Sequence, residues 1–347
     1  MLLALVLAEV LIRLAINVEP SLQIRDPVLG KKFVPGFSGQ VWIEEAQRVV
    51  DQRFNRDGFR GPDYAHDKPA DVRRVAVLGD SMVASVAVDE RDTMVGLLQS
   101  RLNENSNTCW QVLNYGVAGS GTSQDLLVYR HVAAHYQPDV VVLVYFMGND
   151  FADNSPQLSS RRVYFEVTEN DHLKPIEFTA RSSAGSVWLN QHSRFYVWQK
   201  TALAKLRGKL GARQDYWIFD GQPDARVERA WQLNERIIKQ LAVEVSEAGR
   251  QFLLVLYPAG EQVSSEQWQR VIDHLPTLGA DDPSHFDPDY PRQRLARLAK
   301  REGIDLLDLT EAFRQHQGPP LYFNGNGHFT ESGNHLAMQQ VYAKLQP

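Results

Sequence analysis

The run Val140-Val141-Val142-Leu143-Val144-Tyr145-Phe146 constrains this chain more than any other stretch. Its residues are apolar and mostly β-branched, so a strand built from them has no polar face and must be covered on both sides. That is the position of a central strand in a parallel sheet. Around it the pattern alternates. Val75–Leu78 (with Arg73-Arg74 as a solvated entrance), Val112–Asn114, Gln251–Tyr257 and Ile304–Leu309 read as further strands. Helical stretches fall at about Thr93–Asn103, Ser123–His135 with Thr122 or Ser123 as cap, Ala225–Ala248 closed by Gly249, Ser265–His274, Arg292–Glu302, Thr310–Gln315 and Glu331–Leu345. Five βα-type units predict an α/β fold, a three-layer α/β/α sandwich with a five-stranded parallel sheet and right-handed crossovers.

Residues 1–17 form the most apolar run, MLLALVLAEVLIRLAI in its first sixteen residues. It is shorter than the ~20 residues a membrane-spanning helix needs. Glu9 and Arg13 interrupt it, four apart on one helical face. With no basic leader and no small-residue cleavage site, a cleaved signal peptide fits poorly. The run is read as the end of a membrane anchor, which implies an extracytoplasmic, membrane-attached protein. An amphipathic helix packed on the domain, and a cytoplasmic location, are the alternative. Residues 18–70, rich in Gly, Pro and charge, read as short strands strapped over the main domain. That domain spans 71–347 and is interrupted at about 155–222 by a polar, aromatic insertion, either a satellite cluster or a substrate wall.

A net charge of −5 without a dense Lys/Arg stripe gives no footprint for nucleic acid. The single cysteine, Cys109, excludes an internal disulfide and a multi-cysteine metal site. Asp281–Asp289 has cation-binding residue types but no motif spacing, and reads as a solvated acidic loop. No cofactor and no metal are expected, and the oligomeric state is left open.

Gly79-Asp80-Ser81 ends the first strand, and alone it could be a turn with a helix cap. A serine there sits where open α/β sheets bind ligands. Acyl transfer to serine needs a base for the hydroxyl proton and donors for the oxyanion. Candidates stand at successive strand ends: Ser81 after the first, Gly119 after the second, Asn149 after the third, and His328 before the last helix. The glycines of Gly116–Gly121 lack dinucleotide-loop spacing and follow the wrong strand. Ser81 also lacks a Gly-x-Ser-x-Gly elbow.

At these residues the chain resembles the SGNH/GDSL hydrolases, over roughly Val75–Asp150 and Pro320–Tyr342. Gly79-Asp80-Ser81, Asn114–Gly119, Gly148-Asn149-Asp150 and His328 match the four blocks in order. The resemblance implies a flavodoxin-like SGNH hydrolase fold, with Ser81 as nucleophile and His328 as base. Ser81 itself, the backbone N–H of Gly119 and the side chain of Asn149 would form the oxyanion hole. The front resembles a bacterial subgroup with an N-terminal anchor and an Asn-x-x-Gly-Phe-Arg-Gly segment, here Asn55–Gly61, linked to extracellular polysaccharide O-acylation. An ester hydrolase or O-acyltransferase acting on an acylated, chiefly acetylated, saccharide is implied. Ser85 and Ala87 replace family glycines, a change expected to affect helix packing. The family Asp two or three residues before the histidine is absent, since Asn326 and Gly325 stand there. Asn326 or a backbone carbonyl is therefore expected to orient His328, with Asp150 and Glu331 as the next groups in reach. Slow turnover, raised by Asn326→Asp, follows from that expectation. The alternative is a catalytically weakened domain that binds or scaffolds acylated polysaccharide.

Overall fold

A computed structural model of the chain describes residues 2–104, 108–158, 164–168, 172–176, 182–206, 216–280, 282–323 and 327–346. The chain opens with helix α1 (Leu2–Ala15), then the hairpins β1 (Gln23–Asp26)–β2 (Gly30–Phe33) and β3 (Ser38–Ile43)–β4 (Arg48–Arg53). The alternating part follows as β5 (Val72–Gly79), α2 (Ser81–Ala84), α3 (Met94–Glu104), β6 (Cys109–Gly116), α4 (Thr122–His131), β7 (Val140–Phe146) and α5 (Asp150–Asp153). A small hairpin, β8 (Phe165–Val167) and β9 (Leu173–Pro175), leads to the helices α6 (Ala184–His192) and α7 (Arg194–Leu206). Alternation resumes with α8 (Ala225–Glu247), β10 (Gln251–Tyr257), α9 (Gly260–Val263), α10 (Ser265–His274), α11 (Tyr290–Glu302), β11 (Asp305–Asp308), α12 (Thr310–Arg314) and α13 (Glu331–Leu345).

The central sheet has the order β11-β10-β7-β5-β6, and its neighbouring strands run parallel. β7 lies in the middle and is buried along its whole length, as its composition requires. Alternate residues serve two cores. Val141, Leu143 and Tyr145 face one with α4, α8 and α11; Val140, Val142 and Val144 face the other with α3 and α13. This is the expected α/β/α sandwich. Strand order reverses between β5 and β7, so the crevice at their carboxyl ends is the switch point where such sheets bind ligands.

Three local expectations are corrected. Arg74 is buried rather than solvated, because its guanidinium donates to Gln111 Oε1 and to the carbonyls of Ala65, His66 and Tyr136. The sequence suits Asp80 and Ser81 to the N-terminal side of the helix expected at about Thr93–Asn103, but Asp80 caps the short α2 instead. α4 starts at Thr122, with Gly121 at its cap position and no side-chain cap bond.

The hairpin β3–β4 packs Val41, Ile43 and Val50 with Phe33 and Phe54 into a third core that reaches Ala84 and Ala87 behind α2. Phe33 and Phe54 stack with centroids 4.2 Å apart. From the same strap, Arg60 enters the interior at 2% exposure. Its guanidinium donates to the carbonyls of Ala84, Ser85 and Val88, where α2 ends with Ser85 at φ +44°. Burial pulls the Arg60 pKa down to about 10, against the raising charges of Glu90 and Asp89. The carbonyl dipoles at the end of α2 thus take the place of a carboxylate partner.

The aromatic insertion divides. Phe165 and Tyr216 join the main core, while Trp188 and Trp198 are exposed. α1 docks on α7 through Glu9, which accepts from Ser193 Oγ (2.8 Å) and from the N–H groups of Arg194 and Phe195 (3.0 Å each). Burial opposes ionisation of Glu9, but these bonds and the one from Arg13 outweigh it and lower its pKa to about 2. The other face of α1 is open, with Leu3 82% and Leu14 81% exposed. Among the described residues no helix is long and apolar enough to cross a membrane. In the acidic loop, Asp289 is paired with Arg292 and Arg314.

Candidate active site

Gly79 turns the chain out of β5 at φ +155°, where a Cβ would lie 2.6 Å from Val83 Cγ2. Only glycine fits there. Asp80 follows as cap, accepting from Met82 N at 2.8 Å, and Ser81 opens α2. Gly116, paired with Gly79 across β5–β6, is equally confined, since a Cβ would meet Ala84 N at 2.2 Å. The nucleophile turn is therefore wedged between β6 behind it and Arg60 at its far end.

His328 lies in the segment before α13, anchored by its neighbour Phe329 against Tyr257, Phe313 and Tyr322. Its Nε2 is 2.8 Å from Ser81 Oγ. Its Nδ1 is 2.7 Å from Glu45 Oε2. Glu45 belongs to the turn between β3 and β4, 283 residues away in sequence, and its side chain is 10% exposed. A carboxylate at Nδ1 fixes the proton there and leaves the Nε2 lone pair for the serine hydroxyl.

The expected absence of an acid is thus corrected. The strap supplies a Glu where the residues before the histidine supply none. Asn326, expected to orient the ring, lies outside the described residues. Nδ1 is already occupied by Glu45, so Asn326→Asp has no free ring nitrogen to serve. The other two groups considered are engaged elsewhere. Glu331 pairs with Arg48, and Asp150 is fully buried and accepts from Phe146 N. The Arg48–Glu331 pair ties β4 to the first turn of α13, beside His328, and so holds the acid's hairpin in register with the base.

Burial is the largest influence on His328 and lowers its pKa. The Glu45 hydrogen bond and charge, with Asp80 and Glu19 behind them, outweigh it and leave the imidazole above its ordinary value.

β6 and β7 flank β5, so Gly119 and Asn149 stand at the strand ends on either side of Ser81. Gly119 adopts φ +71° in the loop after β6. Asn149 caps α5, donates from Nδ2 to Asp153 Oδ2 at 2.9 Å and leaves Oδ1 buried without a partner. In this state part of the amide's donor capacity is held by a carboxylate.

Beneath the serine lie three buried acids, Asp80, Asp125 and Asp150. Burial raises all three, Asp125 and Asp150 well above the usual carboxylate range, and the charge of Asp80 adds to both. Asp125 accepts from the Gly79 N–H, while its Oδ2 has no partner. The fold favours protonated Asp125, so its contribution is complete below the unfolded pKa and is lost as pH rises toward the folded one. Asp125→Asn keeps the acceptor and removes the ionisation. It is expected to stabilise at pH 8 and by much less at pH 4. Urea midpoints at the two pH values measure this, and an equal shift at both would rule out ionisation as the cause.

Sequence reasoning missed Glu45, Asp125 and the role of Arg60. Only Arg60 had a signal, inside the Asn55–Gly61 segment. Among known proteins, residues 211–347 match a family described as "SGNH hydrolase-like domain, acetyltransferase AlgX". That stretch includes His328, while Ser81, Gly119 and Asn149 all precede it. No curated protein matches in sequence. Similar solved structures include an acetyl xylan esterase (15% identity over 79% of this chain and 100% of that one, TM-score 0.43). A catalytic mutant of an acetylxylan esterase from Geobacillus stearothermophilus aligns at 11% identity over 78% and 93%, TM-score 0.44. An alpha/beta hydrolase enzyme from the metagenome of Lake Arreo, Spain, aligns at 13% over 80% and 96%, TM-score 0.43. The carboxyl-terminal part of the chain is thus similar to an SGNH hydrolase-like domain, set within a three-layer fold on a five-stranded parallel sheet.

Proposed function

We propose that the chain is a serine ester hydrolase or O-acyltransferase acting on an O-acyl group, chiefly acetyl, of a carbohydrate. The observation that carries it is the continuous relay Ser81 Oγ–His328–Glu45 at 2.8 and 2.7 Å. Ser81 Oγ attacks the acyl carbonyl as its proton passes to His328 Nε2. Glu45 stabilises the imidazolium, which then protonates the departing alkoxide. Water or a sugar hydroxyl, deprotonated by His328, attacks the acyl-enzyme, releases the acyl group and restores Ser81. Acetyl is favoured by the description of the matched family as an acetyltransferase. The rival reading, a binding or scaffolding domain, drew its support from the absent Asp, and Glu45 removes that ground. A serine-directed organophosphonate is expected to label Ser81, located by peptide mass spectrometry, with parallel loss of esterase activity. Labelling elsewhere, or activity left intact after labelling, would sink the proposal.

Gly119 N–H and Asn149 Nδ2 serve as oxyanion donors, the amide exchanging Asp153 for the developing charge. Asn149→Ala is expected to lower kcat about 100-fold with little change in KM. A raised KM at unchanged kcat would make Asn149 a substrate-binding residue.

The protein works outside the cytoplasm, attached to a membrane through its first sixteen residues. The exposed apolar side chains of α1, Leu3 and Leu14 among them, are what would enter the membrane. A chain beginning at Val18 is expected to lose vesicle binding and keep esterase activity. Unfolding on truncation, followed by circular dichroism, would make α1 part of the core instead.

A further inference from the structure

Two of the proposed oxyanion donors stand on separate pieces of chain, Gly119 in the loop between β6 and α4 and Asn149 at the head of α5. An oxyanion hole stabilises charge only if its donors already stand where the charge develops. We infer that Asn154 is the positioning residue that joins these two pieces, and that Asn234 holds Asn154 in place. The inference rests on the proposed esterase function and adds what keeps its oxyanion hole in register.

Neither piece is fixed by its own local structure. α5 has four residues, too few for a helix that stands alone. α4 begins without a side-chain cap, because Gly121 occupies the cap position. Asn154, directly after α5, answers both. Its Oδ1 accepts from Ser123 N at 2.7 Å, the second N–H of α4 and the group that a cap residue ordinarily serves. The cap is thus supplied across space rather than along the chain. Gly121 leaves the room for it, since a Cβ there would lie 2.9 Å from Asn154 Oδ1.

On its other side Asn154 donates from Nδ2 to Asn234 Oδ1 at 2.7 Å. Asn234 lies on α8, and its Oδ1 also accepts from the Tyr145 hydroxyl of β7 at 3.0 Å. Its Nδ2 donates to Ala230 O at 2.8 Å and to Phe151 O, within α5, at 3.1 Å. Both amide orientations are fixed, because Ser123 N–H needs an oxygen and the two carbonyls need an N–H. Asn154 and Asn234 are fully buried, and each amide oxygen and nitrogen has a partner. A buried polar network completed in this way is rigid.

The other side of the Gly119 loop is pinned to the nucleophile strand. Val117 N donates to Gly79 O at 3.1 Å, and Ser120 Oγ donates to Val117 O at 2.8 Å. Gly119 therefore lies between an anchor on β5 and an anchor behind α5. Asn149 begins the same turn of helix that Asn154 ends.

The test uses the full chain, with p-nitrophenyl acetate as substrate and 1,1,1-trifluoroacetone as inhibitor. Ser81 Oγ adds to the ketone carbonyl as its proton passes to His328, and the carbonyl oxygen becomes an anion in the hole. Turnover is counted per Ser81 titrated with organophosphonate, so unfolded molecules do not enter. Asn154→Ala is expected to lower kcat about 10- to 100-fold with KM within about twofold. Ki for the ketone should rise by the same factor as kcat falls. In an Asn149→Ala background the same substitution should cost less than about threefold, because the donor held in register is then gone. Tyr145→Phe, isosteric and at the far end of the network, should move kcat and Ki together by about two- to threefold. It carries the test if Asn154→Ala yields no folded chain. Unchanged Ki with unchanged kcat per titrated serine, or a full additive loss in Asn149→Ala, would make Asn154 a residue of the fold alone. That result overturns the inference while the serine esterase stands. If Ser81→Ala matches wild type, or the organophosphonate labels another residue, it is the esterase function that fails.

Discussion

Glu45→Gln is expected to lower kcat for a simple acetyl ester by about 10⁴-fold with little change in KM. Glutamine is the same size and fills the same turn, so the hairpin stays folded. It can, however, present its amide N–H to Nδ1, which moves the ring proton to Nε2 and leaves Ser81 without an acceptor. The charge that supports the imidazolium is lost as well. The pH profile separates these effects from simple misfolding. Wild-type activity should rise as His328 becomes neutral, with an inflection above the ordinary imidazole value, because the Glu45 bond and charge outweigh burial. In Glu45→Gln the residual rate should rise at lower pH, since burial then acts with far less opposition. Glu45→Asp, which keeps the charge on a shorter arm, should recover part of the loss. A Gln variant with full turnover and an unmoved inflection would remove Glu45 from the mechanism.

Ser81→Ala is expected to cost about 10⁵–10⁶-fold in kcat, the scale of losing a nucleophile that acts as one unit with its base. His328→Ala should cost nearly as much, and the double substitution no more than either alone. Additive losses would mean that the two side chains, 2.8 Å apart, work separately. Steady-state hydrolysis of p-nitrophenyl acetate by the three variants, corrected for the uncatalysed rate, makes the comparison.

The sheet was legible because its strands differ so sharply in composition. β7 could be placed at the centre from seven residues, and β5 and β10 follow the same logic. Ser81 was legible because it follows a glycine at a strand end, and His328 because the segment before the last helix resembles the family's final block. Glu45 was not. It sits in a four-residue turn beside an equally acidic Glu44, with no periodicity to single it out, and its partner lies at the far end of the chain. Arg74 misled for a related reason. Next to Arg73 it looks like surface charge, yet carbonyls from separate segments converge on it only after the chain has folded. Arg60 shows the same effect at the nucleophile turn. Propensity and pattern report on neighbours in sequence, and these three residues take their roles from neighbours in space.

The span from Glu45 to His328 also has a consequence for biosynthesis. Acid, nucleophile and base are made in that order, so the base is the last of the three to emerge. A nascent chain too short to expose His328, or any product stopped before it, carries a serine with no proton acceptor. Closing so long a loop adds little beyond a shorter one, since the entropic cost grows only with the logarithm of length. Esterase activity should therefore appear in a single step once the His328 segment has emerged, with the acid's hairpin waiting for it to arrive.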